Sequence, residues 1–173
     1  MAYEKKAKIE LDRMERKGVI VKVSEPTEFV SNIVLTEKPN GKIRLCLDPT
    51  HLNRAIERGN HPMKRIEQIT SKLSGAKHFI SLDADESFWQ VTLDEHSSCL
   101  CTFTTPWGRY RFVKMLYGIS SASDEFQRLT DQCFQDLDGV TAVVDDLIVW
   151  AATEEEHDGR LQAVLRRCEE IWS

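Results

Sequence analysis

The chain has 173 residues, 41% hydrophobic and 29% charged, which suits one compact domain or two closely packed subdomains with a real core. No apolar run approaches the ~20 residues of a membrane span, and the start, Met1-Ala2-Tyr3-Glu4-Lys5-Lys6, has no secretory apolar core, so no membrane partner is expected. A net charge of -5 argues against a protein that coats nucleic acid by bulk electrostatics, and five cysteines without a Cys-x-x-Cys pair argue for a reduced, intracellular, cytoplasmic chain.

Residues 3–17 carry Ala7, Leu11 and Met14 on one helical face, with Gly18 placed to end the helix. Val19–Val23 reads as a short strand before the Pro26 break. Phe29–Leu35 and Ile43–Leu47 are strand-like runs joined by Lys38-Pro39-Asn40-Gly41-Lys42, whose Asn-Gly pair signals a hairpin. A hairpin bearing Lys38, Lys42 and Arg44 could close over a triphosphate, although a basic tip is more often simply solvated. Asp48-Pro49-Thr50 turns the chain. Pro62 suits the first position of a helix running to about Leu73, with Gly75 after it.

Lys77–Leu82 reads as a strand delivering Asp83, and Leu100–Thr105 and Arg109–Val113 flank Pro106-Trp107-Gly108, a second hairpin signal. Gly118–Ser123 opens a helix that Ser120 or Ser121 can cap, with Asp124 and Glu125 in its first turn and Phe126, Leu129, Cys133, Phe134 and Leu137 inward. Thr153-Glu154-Glu155-Glu156 is a capping box opening a last helix, with Leu161, Val164, Leu165 and Cys168 inward. These three acids therefore mark a helix start and not a metal site.

Val140–Trp150 organises the rest. It is a β-branched apolar run that wants to be buried strand, interrupted by Asp145 and Asp146, with no Lys or Arg inside it to compensate them. Successive strand residues point to opposite faces, so both acids reach one site only at a tight turn, here between strands 140–144 and 147–151. An isolated Asp-Asp pair is more often a solvated turn. The second apolar run ending in acid, Phe79 to Asp85, shifts the balance towards a two-metal phosphoryl-transfer site, which needs oxygen ligands from separate elements around cations about 3.5–4 Å apart. Segment 38–65 holds seven Lys or Arg against two acids, and segment 131–173 three Arg against eleven acids. That asymmetry fits a phosphate-gripping part and a metal-binding part.

Val-Val-Asp-Asp-Leu-Ile-Val, preceded by Leu-Tyr-Gly-Ile-Ser-Ser-Ala and by Ser-Leu-Asp, resembles the reverse transcriptase of Ty3/gypsy-type long-terminal-repeat retrotransposons. Lys38–Arg44, Leu52–Ala55, Phe88-Trp89-Gln90, Thr104–Phe112 and Glu154–His157 fall in register with the same family. The resemblance implies an α+β, right-hand polymerase, an antiparallel palm sheet packed on helices without a thumb. It would form one reverse transcriptase domain over 1–173, with about 1–78 and 115–120 on the fingers side and 79–114 and 121–173 mainly palm. It implies an RNA-directed DNA polymerase, a nucleotidyltransferase from a retrotransposon polyprotein, that adds deoxynucleotides (dNTPs) to a primer 3′-hydroxyl with two Mg²⁺ ions or with Mn²⁺. Asp83, Asp145 and Asp146 match the catalytic metal ligands, with the Ala84 carbonyl as a further metal and nucleotide contact. Lys38 and Arg44 match the fingers cations on the triphosphate, Phe88 the aromatic gate against a ribose 2′-hydroxyl, Tyr117 and Gly118 the loop against nucleotide and template, and Gln127 a position on the following helix. Implied partners are an RNA or DNA template-primer, dNTP, and the thumb and RNase H of the Pol polyprotein. Dimerisation is compatible with the family, as is a virus-like particle as location.

The chain departs from the family pattern at Val143, where an aromatic is usual, at Leu116 and Ser123, where prolines are usual, and at Asp85-Glu86-Ser87, where small residues are usual. Asp85 and Glu86 add negative charge where a triphosphate would arrive, which weakens nucleotide binding unless a cation screens it. Those departures support one alternative, a decayed or domesticated polymerase fold acting as a non-catalytic binding module. A remote one, a haloacid-dehalogenase-like phosphatase, rests on the strand-Asp-x-Asp reading of Phe79–Ser87 and requires alternating β and α units.

Overall fold

The computed structural model describes residues 2–37, 39, 41–57, 61–62 and 64–172. In chain order they form α1 (Ala2–Arg16), β1 (Ile20–Val23), β2 (Ile33–Glu37), β3 (Ile43–Leu47), α2 (Thr50–Ala55), α3 (Ile66–Lys72) and β4 (His78–Asp83). A 3-10 turn over Ser87–Gln90 leads to α4 (Glu95–Leu100), β5 (Thr102–Thr105), β6 (Gly108–Phe112), α5 (Ala122–Phe134), β7 (Val140–Val143), β8 (Asp146–Ala151) and α6 (Glu154–Trp172). The paired strands are all antiparallel, which is the expected α+β character and leaves no room for the phosphatase alternative, whose sheet is parallel. No helix among the described residues is long and apolar enough to cross a membrane.

The chain divides into two compact units, one of Met1–Glu57 with Phe88–Ala122 and one of Arg58–Ser87 with Ser123–Ser173. They are delimited by compactness, whereas the fingers and palm segments expected above are defined by function. In the first unit α1 follows from its spacing: Ala7, Leu11 and Met14 are buried on one face. The helix ends because Gly18 takes φ +66°, letting the Gly18 N–H reach Glu15 O and the Val19 N–H reach Met14 O, each at 3.0 Å. The core joins Leu11 and Met14 to Ile20, Leu45, Leu47, Phe103 and Phe112, around a β1-β6-β5 sheet and a β2-β3 hairpin.

Glu37 pairs with Ile43 and so closes that hairpin as the sequence suggests; Lys38 and Asn40 at its tip lie outside the described residues. The preceding strand starts only at Ile33, because Ser31 is drawn away by bonds with the backbone of Thr102 and Thr104, leaving Phe29 and Val30 exposed. Two short helices were not anticipated. Of these, α2 buries no side chain, and α4 replaces the expected strand start at Leu100, capped by Asp94 accepting from the Ser97 N–H at 2.9 Å.

In the second unit the sheet order is β4-β8-β7. Val140, Ala142, Leu147 and Val149 on one face meet Phe134 of α5 and Val164 of α6. The Thr153 hydroxyl accepts from the Glu156 N–H at 3.3 Å, so the acids at 154–156 do start the last helix. Leu165, expected inward, is 48% exposed. On α5, Phe126 and Phe134 are buried as expected, but apart from Ala122 at its start the other deeply buried positions belong to the polar Gln127 and Thr130. Ser120 caps nothing: its hydroxyl meets no hydrogen-bond partner among the described residues. The helix expected from Pro62 begins at Ile66 instead, since His61 and Lys64 are held by Asp131.

Candidate active site

β4 and β8 pair from His78↔Ala151 to Asp83↔Asp146, so Asp83 and Asp146 are directly opposed at one end of the sheet. Opposed residues of an antiparallel pair share a face, with Cβ atoms roughly 4.5–5.5 Å apart. Val143↔Asp146 is the last pair of β7 with β8, which leaves Val144 and Asp145 as a two-residue loop. The turn therefore falls one residue earlier than expected: Asp146 is a strand residue and only Asp145 lies in the loop. The Ala84 N–H donates to Asp145 O at 3.0 Å and ties the end of β4 to that loop.

Backbone strain gathers here. Glu86 and Val144 are the non-glycine residues with positive φ among those described, at 52° and 54°. Positive φ at only the first loop residue matches a type II′ turn, where glycine is the rule, and a β-branched side chain there is a true outlier. Strain of this kind costs roughly 1–3 kcal/mol and persists only where the surroundings enforce it.

The enforcement comes from α5. Gln127, fully buried, accepts from the Val144 N–H through its Oε1 at 2.8 Å, and its Nε2 donates to Ala142 O at 3.1 Å and to Asp131 Oδ1 at 2.9 Å. Lys64 Nζ donates to Asp131 Oδ1 at 2.5 Å, and to Thr141 Oγ1 and Ala142 O at 3.0 Å each. His61 Nε2 lies 3.0 Å from Asp131 Oδ2. Burial opposes the charge on Asp131, but hydrogen bonds from Lys64, His61 and Gln127 outweigh it and hold the carboxyl below the usual carboxylate range. Gln127, expected beside a nucleotide, thus spends both ends of its amide inside the protein. Lys64 and Asp131 carried no sequence signal, being 67 positions apart.

The other expected nucleotide contacts lie in the first unit. Arg44, exposed on β3, sets its guanidinium 5.1 Å from the Tyr117 ring centroid, and the buried Phe88 ring lies 4.6 Å from the same centroid as a tilted aromatic pair. Gly118 has φ +96°, and a Cβ there would stand 3.4 Å from Pro49 Cγ. Asn53 clamps this loop: its Nδ2 donates to Gly118 O at 2.9 Å and its Oδ1 accepts from the Ser120 N–H at 2.8 Å. The Leu-Asn motif was visible in the sequence, its role was not. Lys38 lies outside the described residues.

Asp83, Asp145 and Asp146 have no ion-pair partner among the described residues, and no three His, Cys, Asp or Glu side chains among these residues are gathered at ligating distance. The donor set is nonetheless all carboxylate oxygen on paired strand ends and the adjoining loop, the chemistry a hard divalent cation takes.

The profile of the family "Reverse transcriptase (RNA-dependent DNA polymerase)" matches residues 36–172. The chain belongs to this reverse transcriptase family. Similar proteins include an uncharacterized Caenorhabditis elegans protein, 32% identical over 93% of this chain and 13% of its own length. The retrovirus-related Pol polyprotein from transposon 412 of Drosophila melanogaster is also 32% identical, over 93% of this chain and 14% of its own. The foamy viral protease-reverse transcriptase solved in complex with an RNA/DNA hybrid superposes over 97% of this chain and 23% of its own, with a TM-score of 0.85 at 20% identity, and shares the fold. The chain therefore spans a quarter or less of each of these matches. Reverse transcriptases use divalent metal ions.

Proposed function

We propose that this chain is the fingers and palm of an RNA-directed DNA polymerase from a retrotransposon polyprotein of Ty3/gypsy type, a nucleotidyltransferase that extends a primer with dNTPs. The observation that carries this reading is the opposition of Asp83 and Asp146 beside Asp145, in a member of the reverse transcriptase family. Asp83, Asp145 and Asp146, with the Ala84 carbonyl, would hold two Mg²⁺ or Mn²⁺ ions. Such ions, when bound, supply Lewis-acid activation of the 3′-hydroxyl and neutralise the leaving pyrophosphate.

The remaining work falls to the chain itself. Arg44 would leave the Tyr117 ring to pair with phosphate oxygens, a bidentate match that its planar fork favours. Phe88, fixed by Tyr117, presents a ring whose edge a ribose 2′-hydroxyl would strike, which selects deoxynucleotides. Tyr117 and Gly118, held by Asn53, would lie against nucleotide and template. The implied partners are an RNA or DNA template-primer and the thumb and RNase H parts of a Pol polyprotein. Dimerisation and a cytoplasmic or particle-enclosed location belong to the same proposal.

Primer extension on an RNA template with Mg²⁺ and dNTPs tests the reading, with Asp145→Asn/Asp146→Asn as control. Extension by the wild type that the control loses supports it; equal extension by both removes the carboxylates from the mechanism. A folded wild type that extends nothing, even with a downstream thumb segment fused in cis, would favour a non-catalytic binding module.

A further inference from the structure

The acid-bearing hairpin hangs on an open sheet edge. In the order β4-β8-β7, strand β7 has no strand on its outer side among the described residues, so its outward backbone groups need other partners. Side chains supply them. Ala142 O receives both Lys64 Nζ and Gln127 Nε2, and the Val144 N–H is taken by Gln127 Oε1.

Lys64 is fully committed to this edge. Its ammonium has three protons, and it meets three acceptors, Asp131 Oδ1, Thr141 Oγ1 and Ala142 O. Asp131 in turn takes Lys64 and Gln127 on one oxygen and faces His61 with the other. The cluster therefore fixes Gln127, and Gln127 fixes the amide of the strained residue that immediately precedes Asp145. Neither Lys64 nor Asp131 belongs to the metal or nucleotide set described above.

We infer that Lys64 and Asp131 are positioning residues for the acid-bearing hairpin: their ion pair, acting through Gln127 and the Ala142 carbonyl, holds Val144 in its left-handed conformation and so sets where Asp145 and Asp146 stand. A divalent-ion site is the function that such precise setting serves, and to that extent the inference rests on the polymerase reading. Partners that orient metal ligands from outside the ligand set commonly cost 10–100-fold in metal affinity when removed. A cluster that merely stabilised the unit would lower the melting temperature and leave ion affinity in the folded protein unchanged.

The test compares the wild type with Lys64→Met, Asp131→Asn and the double variant, each checked for folding by far-ultraviolet circular dichroism. Two quantities are read at a temperature where each is folded: hydrogen exchange of the Val144 amide by NMR, without metal, and Mn²⁺ affinity by electron paramagnetic resonance. Expected are faster Val144 exchange and roughly tenfold weaker Mn²⁺ binding in each single variant, with the double variant no worse than the worse single one because both break one pair. In primer extension the same variants should lose kcat with little change in KM for dNTP. Asp131→Asn keeps the side-chain shape and one acceptor, and supplies the folded case should Lys64→Met not fold. Val144 exchange and Mn²⁺ affinity both within twofold of wild type would overturn the inference. A wild type without polymerase activity would count against the polymerase reading alone, since Val144 exchange is measured without it.

Discussion

Gln127 offers a test in which the closest isostere should be the worse substitution. In Gln127→Leu the side chain keeps its apolar stem in a fully buried position and loses three hydrogen bonds. Two of the groups left behind keep a partner, because Lys64 still donates to Asp131 Oδ1 and to Ala142 O. Only the Val144 N–H is orphaned, which costs about 1–3 kcal/mol. Gln127→Glu preserves that acceptor but puts a second carboxylate where an amide donor stood 2.9 Å from Asp131 Oδ1, beside a Lys64 already shared among three acceptors. An uncompensated buried charge costs about 3–5 kcal/mol, so at mid-range values Glu should be less stable than Leu at pH 7 by about 2 kcal/mol. For a chain of this size that is a separation of roughly 4–8 °C in melting temperature. The sign with pH also follows. The buried Glu has its folded pKa raised above the unfolded value, so its deficit is present above the folded pKa and shrinks as pH falls through it; once protonated, it can donate to Asp131 again. Urea unfolding at pH 7 and pH 5 measures both effects. A Glu variant as stable as wild type at pH 7, or more stable than Leu, would refute this account of the cluster.

Val144→Gly should be neutral or stabilising by up to about 1 kcal/mol in urea unfolding, because relief of the left-handed strain offsets the greater chain entropy of glycine; the same change inside a strand destabilises. Asn53→Ala removes both bonds that hold the loop at Gly118 and Ser120, and should cost about 1–2 kcal/mol in thermal melts and weaken binding of a fluorescent dNTP. The Arg167 guanidinium beside Asp136 holds its carboxyl down at about 2. That folded value lies below the unfolded one of about 3.9, so the pair's contribution is present above about pH 4 and lost as pH falls towards 2. Acid unfolding of Asp136→Asn should show a shallower slope in that window than wild type.

The hairpin was legible because two adjacent carboxylates inside a β-branched apolar run are too costly to bury and must stand at a turn or against a cation. Its exact turn was not, because Val144 reads as strand and takes a conformation that only its surroundings impose. The start of α3 was misplaced for a similar reason: Pro62 is a sound helix-start signal locally, but His61 and Lys64 answer to Asp131 about 70 residues away. Gln127 and Thr130 broke the apolar pattern of α5, since polar residues enter a core only with partners that periodicity cannot display. The signal for α4 was present in Asp94 and Ser97, a cap at the usual spacing, and was masked by the apolar residues that follow.

On the polymerase reading, the end of β4 and the β7–β8 hairpin together form a divalent-cation site. Mn²⁺ titration followed by electron paramagnetic resonance, on the wild type and on Asp145→Asn/Asp146→Asn with folding confirmed for both, decides whether they do. Saturable binding by the wild type that the variant loses is the predicted result. Equal binding by both, or none by the folded wild type, would contradict it.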